Sequence, residues 1–165
     1  MAKLIILRGN SGSGKTTVAK ALQQKFGANT MLLSQDMIRR EILKVKDGVG
    51  TPACSLLIHM LKYGRKNCEI VILEGILDSE YYRELFERAM EEYGANIYAY
   101  YYDLPFEETL RRHETKPNCN EFGESDMRRW WKEKDFIGSI PEKILTKAMG
   151  LDETVDMIYD TVSSS

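Results

Sequence analysis

Near its amino terminus the chain reads Gly9-Asn10-Ser11-Gly12-Ser13-Gly14-Lys15-Thr16, which matches the phosphate-binding loop pattern G-x-x-x-x-G-K-[ST] at every fixed position. Glycines let the backbone turn tightly, so that successive N–H groups can point at phosphate oxygens. In this pattern Lys15 supplies positive charge to the β- and γ-phosphates, and Thr16 offers its hydroxyl to Mg²⁺. The sequence therefore predicts a nucleoside triphosphate as the ligand.

The segments around this loop fit the same interpretation. Residues 3–8 form a short apolar run typical of a buried strand, and residues 15–26 have helical spacing with one apolar face. The positive end of that helix would point at the bound phosphates. The predicted nucleotide contacts in the loop are Gly9, Asn10, Ser11, Gly12, Ser13, Gly14, Lys15, Thr16 and Thr17.

Length and composition indicate an ordinary globular protein. The 165 residues, 43% of them apolar and 29% charged, predict one domain spanning residues 1–165. The net charge of −2 favours neither nucleic acid nor a membrane surface as a partner. Three cysteines without C-x-x-C spacing, no leader-like segment and no membrane-spanning run predict a cytoplasmic location.

Strand-like and helix-like segments alternate along the chain, which predicts an α/β fold with a parallel sheet covered by helices on both faces. The predicted strands are residues 3–8, 30–34, 69–74, 96–103 and 143–146. The predicted helices are residues 15–26, 36–43, 52–66, 79–93, 105–114, 125–134 and 152–159.

Three of these strands end in or are followed by an acidic residue, namely Asp36, Glu74 and Asp103, at the sheet edge where ligands bind in such folds. Asp36 could accept the proton of an acceptor hydroxyl, with Arg39 one helical turn later holding an anionic group. The alternative is that Asp36 only caps a helix. We interpret the neighbouring Arg40 as a solvated surface charge.

Glu74 ends an apolar strand, where it needs a cation or hydrogen-bond donors. It could hold Mg²⁺ through water or bind hydroxyls of the acceptor, and the alternative is a surface glutamate. Thr16 is the predicted direct metal ligand, and Asp36 is a second carboxylate that could act through water.

The most cationic part of the chain predicts a lid over residues 111–134. It contains Pro117 and Gly123 and could close over the nucleotide and exclude water. Arg112 and Arg128 are the arginines predicted to stabilise charge during phosphoryl transfer, and Lys116 is predicted to bind the nucleotide. The alternative is a pair of solvated helices, because acidic residues are interspersed.

With these features the chain resembles small P-loop kinases of the branch containing polynucleotide kinases, chloramphenicol phosphotransferases, zeta-type toxins and adenylylsulfate kinases. Beyond the phosphate loop, Asp36 with Arg39 resembles a D-x-x-R motif, in which the aspartate is the base and the arginine helps to hold the acceptor. Arg112 with Lys116 resembles an R-x-x-x-R lid motif that meets adenine and phosphates, with lysine in the second place. Glu74 before a glycine resembles the strand end at which zeta-type toxins grip their acceptor.

The resemblance implies a three-layer P-loop NTPase fold, with a five-stranded sheet in the order 2-3-1-4-5 and a helical lid, and it implies ATP and Mg²⁺. The leading hypothesis is transfer of the γ-phosphate of ATP to a hydroxyl of a small molecule such as a nucleoside, a sugar or an antibiotic. One alternative is phosphorylation of a polynucleotide 5′-hydroxyl, which needs a cationic channel. Another is a nucleotide-dependent switch, although the pattern N-K-x-D is absent and the D-x-x-G match at residues 47–50 follows no strand.

Overall fold

A computed structural model of the protein describes residues 1–116 and 120–165. In these residues five parallel strands form one sheet in the order β2-β3-β1-β4-β5, as predicted. The strands are β1 (Lys3–Gly9), β2 (Thr30–Ser34), β3 (Ile70–Gly75), β4 (Ile97–Tyr102) and β5 (Glu142–Leu145).

Helices cover both faces of this sheet, as the alternating pattern predicts. The described helices are α1 (Lys15–Phe26), α2 (Gln35–Met37, continued by a π-helical turn over Ile38–Leu43), α3 (Pro52–Asn67), α4 (Arg83–Tyr93), α5 (Phe106–Glu114), α6 (Glu124–Trp130) and α7 (Leu151–Ser163).

The central strand β1 shows why both faces are covered. Leu4 and Ile6 point into a core shared with α3 and α4, whereas Ile5 and Leu7 point into a core shared with α1 and α7. All four side chains are fully buried. Successive side chains of a strand alternate between faces, so a continuous apolar run requires a layer of helices on each side.

Four helices depart from their predicted bounds: α7 continues to Ser163, four residues beyond its predicted end, and the other three depart for local reasons. The segment predicted as a helix over residues 36–43 is α-helical only to Met37 and then continues as a π-turn. Helix α4 begins at Arg83 rather than at residue 79, because the Asp78 carboxylate accepts the N–H groups of residues 80 and 81 and holds a turn there. Helix α6 ends at Trp130, and the extended backbone of Trp131 leads the chain away.

The sequence predicts no membrane-spanning segment, and the described helices can be compared with that prediction. In the part of the chain that the structure describes, no helix has both the length and the apolar character needed to cross a bilayer.

Candidate active site

The phosphate-binding loop lies between β1 and α1, and its glycines are required by both conformation and space. Gly12 and Gly14 have φ angles of 84° and 99°, in the region that side chains disfavour. A Cβ atom on Gly12 would lie 2.4 Å from the carbonyl oxygen of Thr109, so α5 packs directly on the loop. Gly14 is also the N-cap of α1 and provides no side-chain cap, which leaves the first N–H groups of the helix available to an anion.

Lys15 is buried at the centre of the site. Its side chain donates from Nζ to the carbonyl oxygen of Asn10 at 2.9 Å. Burial lowers the pKa of Lys15 from 10.5 to about 8, while the nearby Glu74 carboxylate raises it and Lys116 lowers it. A bound polyanion would therefore meet a lysine whose charge is poorly compensated by its surroundings.

Thr16 and Glu74 lie side by side beneath the loop. The hydroxyl of Thr16 donates to Oε2 of Glu74 at 3.0 Å, and Glu74 is 2% exposed. A hydroxyl and a carboxylate are the hard oxygen donors that Mg²⁺ prefers, with phosphate and water completing its shell. These residues therefore fit Mg²⁺, although residues 1–116 and 120–165 contain no cluster of three or more acidic, histidine or cysteine metal ligands.

Asp36 and Arg39 lie on the same side of their helix and pair with each other. Oδ1 of Asp36 accepts from Nη2 of Arg39 at 3.2 Å and from Nε of Arg40 at 2.7 Å. Arg40 is exposed, as expected of a solvated surface charge, and it also pairs with Asp36. The N-cap of the helix is Ser34, whose hydroxyl accepts from the backbone N–H of Met37, so Asp36 is not the N-cap.

The carboxylates and lysines of the site share one region at the carboxyl ends of the strands. Burial lowers the pKa of Lys116, while the charges of Glu74 and Asp36 raise it. The same two carboxylates raise the pKa of Lys15. The structure therefore brings these four predicted site residues within electrostatic reach of one another.

A cavity of about 300 Å³ opens beside the loop. Its walls are Ser13, Gly14, Thr17, Val18, Tyr102, Arg111, Arg112, Thr115, Lys116, Met149, Gly150, Leu151 and Thr154. Arg112 donates from Nη1 to the carbonyl oxygen of Ser13 at 2.7 Å and from Nε to Glu108 at 2.7 Å. The volume lies at the lower end of the range for small-ligand sites, and its position beside the loop suits the nucleoside part of a nucleotide.

The described contacts of Arg128 are with Glu124 and Phe106. Its Nε donates to Oε2 of Glu124 at 3.0 Å, and its guanidinium lies 4.2 Å from the ring centroid of Phe106. Its side chain is 61% exposed. The place of Arg128 in the cation-rich part of the sequence says nothing about the direction in which α6 points. Pro117, part of the predicted lid, lies outside the described residues.

Sequence reasoning missed a buried ion network next to the loop. Arg8, at the end of β1, is fully buried and binds Asp135 at 2.8 Å and Glu142 at 3.0 Å. It also donates to the carbonyl oxygen of Leu77. A charged residue inside an apolar strand signals a buried partner, but the partners lie more than 120 positions away and nothing local identifies them.

A second, partly buried hydrogen-bond network holds residues 44–50 close to α2. Gln35 donates to the hydroxyl of Tyr82 at 2.9 Å, and that hydroxyl donates to Oδ1 of Asp47 at 2.7 Å. Burial and Asp47 raise the pKa of Tyr82, which therefore remains a neutral donor. Asp47, the first residue of the D-x-x-G match, thus anchors residues 44–50 to α2 and to the segment before α4.

Comparison with known proteins places the chain in a family. The family described as "AAA domain" matches residues 4–132, which is well over half of the chain. The protein therefore belongs to this family of P-loop proteins. No curated protein matches the chain in sequence.

Solved structures show the same fold. The APS kinase of Mycobacterium tuberculosis, in complex with AMPPNP and APS, is 20% identical with a TM-score of 0.65, and the match covers 99% of this chain and 98% of that one. The tunicamycin resistance protein of Deinococcus radiodurans is 18% identical with a TM-score of 0.65, covering 98% and 96%. The shikimate kinase of Acinetobacter baumannii, in complex with shikimate, is 18% identical with a TM-score of 0.62, covering 99% and 94%. The predicted kinship with small P-loop kinases is confirmed at the level of family and fold.

Proposed function

We propose that the protein is an ATP-dependent phosphotransferase that moves the γ-phosphate to a hydroxyl group of a small molecule. One observation carries this proposal: Asp36 follows the carboxyl end of β2, at the same edge of the parallel sheet as the phosphate loop after β1, and its charge acts on the buried Lys15. Proteins of the same fold include one solved with AMPPNP and one solved with shikimate.

In the proposed complex the loop N–H groups and Lys15 bind the β- and γ-phosphates. The cavity beside Arg112 and Thr17 takes the nucleoside. Thr16 and Glu74 would hold Mg²⁺, which when bound neutralises the charge that develops on the phosphate oxygens. Because Oε2 of Glu74 already accepts from Thr16, we favour the metal side for Glu74 over a direct grip on the acceptor.

In the proposed transfer Asp36 takes the proton of the acceptor hydroxyl. As that oxygen bonds to the γ-phosphorus, the bond from the γ-phosphorus to the bridging oxygen breaks and ADP leaves. Both arginines bind Oδ1 of Asp36, so the carboxylate is fixed in orientation and its Oδ2 can face the acceptor. Lys15 and Lys116 supply positive charge to the transferring group, and residues 111–134 act as the lid that excludes water.

The charges on the described part of residues 111–134 favour a small acceptor over a polynucleotide. Three arginines here are each neutralised by a carboxylate on the same helix, in the pairs Arg111–Glu108, Arg128–Glu124 and Arg129–Asp126. A strand of nucleic acid needs a row of uncompensated cations along its backbone.

The test is a screen of hydroxyl-bearing metabolites, nucleosides, antibiotics and oligonucleotides for acceptor-dependent ADP release. With an acceptor in hand, Asp36→Asn should lower kcat by about 10²- to 10⁴-fold, the usual contribution of a general base. The Kd for MgATP should stay within about twofold, because Asp36 does not bind the phosphates.

Asp156→Asn is the matched control, since it removes an exposed aspartate that pairs with Lys25 on the far side of α1. Unchanged kcat in Asp36→Asn would disprove the assigned base. Release of ADP without any acceptor product across the whole screen would replace the kinase with a nucleotide hydrolase.

A further inference from the structure

The side chain of Asn10, the second residue of the phosphate loop, does not face the site of the phosphates. Its Nδ2 donates to the carbonyl oxygen of Lys132 at 2.7 Å, and its Oδ1 accepts from the backbone N–H of Lys132 at 2.8 Å. Asn10 is 7% exposed, so this pair is shielded from water. The amide thus makes two reciprocal hydrogen bonds to one residue placed 122 positions later in the chain.

The backbone carbonyl group of Asn10 accepts hydrogen bonds from within the phosphate loop. The carbonyl oxygen of Asn10 accepts from the hydroxyl of Ser13 at 2.6 Å and from Nζ of Lys15 at 2.9 Å. An ammonium group has three donors, so Lys15 can bind a phosphate and the carbonyl oxygen of Asn10 together. Asn10 therefore lies between the group that meets the phosphates and the segment after α6.

That segment, residues 131–135, is called the α6 tail here. It is held by more than Asn10: Nζ of Lys132 binds Oδ2 of Asp78 at 2.6 Å, and Asp135 binds the buried Arg8. These partners belong to β1 and to the segment after β3. Asn10 links the α6 tail to the phosphate loop by its two hydrogen bonds, and Met127 of α6 also lies against the loop at Gly12.

We propose that Asn10 is a positioning residue that couples the phosphate loop to the α6 tail, so that nucleotide in the loop and the placement of α6 depend on each other. Reciprocity follows from linkage: if the attached tail favours the nucleotide-binding form of the loop, bound nucleotide tightens the tail by the same factor. The coupling to nucleotide rests on the proposed function, whereas the anchoring of the tail does not.

The fluorescence of the two tryptophans of the chain can report this coupling. Its two tryptophans, Trp130 and Trp131, lie at the end of α6 and at the start of the α6 tail. Quenching of their fluorescence by acrylamide therefore measures how accessible the end of α6 and the α6 tail are to solvent. In the wild-type protein, saturating MgATP should lower the quenching constant.

In Asn10→Ala the quenching constant without nucleotide should rise, and its response to MgATP should be lost. The Kd for MgATP should also increase by about tenfold, the effect of one net hydrogen bond. Gln23→Ala is the matched control, because it removes a hydrogen bond from a side-chain amide to the backbone carbonyl oxygen of Thr30, away from α6. In this variant the quenching constants with and without MgATP should equal those of the wild type.

A second pair of variants changes Lys132, the partner of Asn10 in this contact. Lys132→Pro removes the backbone N–H that donates a hydrogen bond to Oδ1 of Asn10. The backbone of Trp131 (φ −62°, ψ 132°) already suits a following proline. Lys132→Ala keeps that N–H and removes only the ion pair with Asp78. The quenching constant of Lys132→Pro should exceed that of Lys132→Ala. MgATP should lower the quenching constant of Lys132→Ala and leave that of Lys132→Pro unchanged.

The outcomes separate this inference from the proposed function. A quenching constant in Asn10→Ala equal to that of the wild type would overturn the anchoring, and an intact response to MgATP in that variant would overturn the coupling. A wild type that binds MgATP in calorimetry without any change in quenching would overturn the coupling as well. A wild type that binds no nucleotide would overturn the coupling and the proposed function together, while the values without nucleotide would still decide the anchoring.

Discussion

Binding of MgATP should draw a proton from solution onto Lys15 in mildly alkaline buffer. Burial holds the pKa of Lys15 at about 8 in the protein without nucleotide. A triphosphate in contact with the ammonium group favours its charged form and should return its pKa to 10 or above, about the value of an exposed lysine. Nucleotide binding and protonation of this one group are therefore linked.

The expected size follows from the two pKa values. Lysine with a pKa of 8 is half neutral at pH 8, so binding should take up about 0.5 proton at that pH, about 0.1 at pH 7 and about 0.9 at pH 9. Since the neutral form must first be protonated, the apparent Kd for MgATP should weaken about tenfold between pH 7 and pH 9.

Calorimetry in buffers of different ionisation enthalpy measures this uptake directly, because the observed heat changes in proportion to the protons exchanged. Lys15→Arg keeps a charge that does not titrate in this range and should lose the uptake. Lys116→Arg is the parallel control, because burial also lowers the pKa of Lys116. Zero uptake by the wild type at pH 8.5, or equal uptake in Lys15→Arg, would refute the reasoning.

Two further predictions concern stability. Because the folded pKa of Lys15 is depressed below its unfolded value of 10.5, the buried charge should cost stability below pH 8, and this cost should disappear as the pH rises from 8 to 10.5. Lys15→Met should therefore be more stable than the wild type by about 3 kcal/mol at pH 7 and by much less at pH 10.5, as urea unfolding would show. Equal differences at both pH values would contradict this cause. Arg8→Met strands the carboxylates of Asp135 and Glu142 and should cost about 3–5 kcal/mol in the same assay. Arg88→Met, which breaks an exposed pair, should cost no more than about 1 kcal/mol, and a similar loss in both arginine variants would contradict the role of burial.

Local patterns predicted the parts of this molecule whose causes are local. The phosphate loop could be located because its glycines and lysine are adjacent in sequence, and β1 and β3 because each is a continuous apolar run. The polar residues at strand ends were found because parallel strands finish at one edge. The strand order came from the resemblance to small P-loop kinases, since alternation alone predicts a parallel sheet without ordering its strands.

Distant pairings could not be predicted from one sequence. The partners of Arg8 lie in the α6 tail and in β5, and the partner of the Asn10 amide lies 122 positions away. The surroundings of Arg128 depend on the direction of α6, and Met127 of this helix lies against the phosphate loop at Gly12. These contacts and the direction of α6 depend on how whole elements pack against one another. The periodicity of residues within one element carries no information about that packing.

Ser34, the last residue of β2, has a consequence for how this protein can be altered. Its hydroxyl accepts from the backbone of Met37 at the start of the following helix, so Asp36 is not needed as the N-cap. The ion pairs of Asp36 with Arg39 and Arg40 lie at the surface, where such pairs stabilise a fold by no more than about 1 kcal/mol. We therefore expect that substitutions at Asp36 can test or redirect its proposed chemistry with little loss of fold stability.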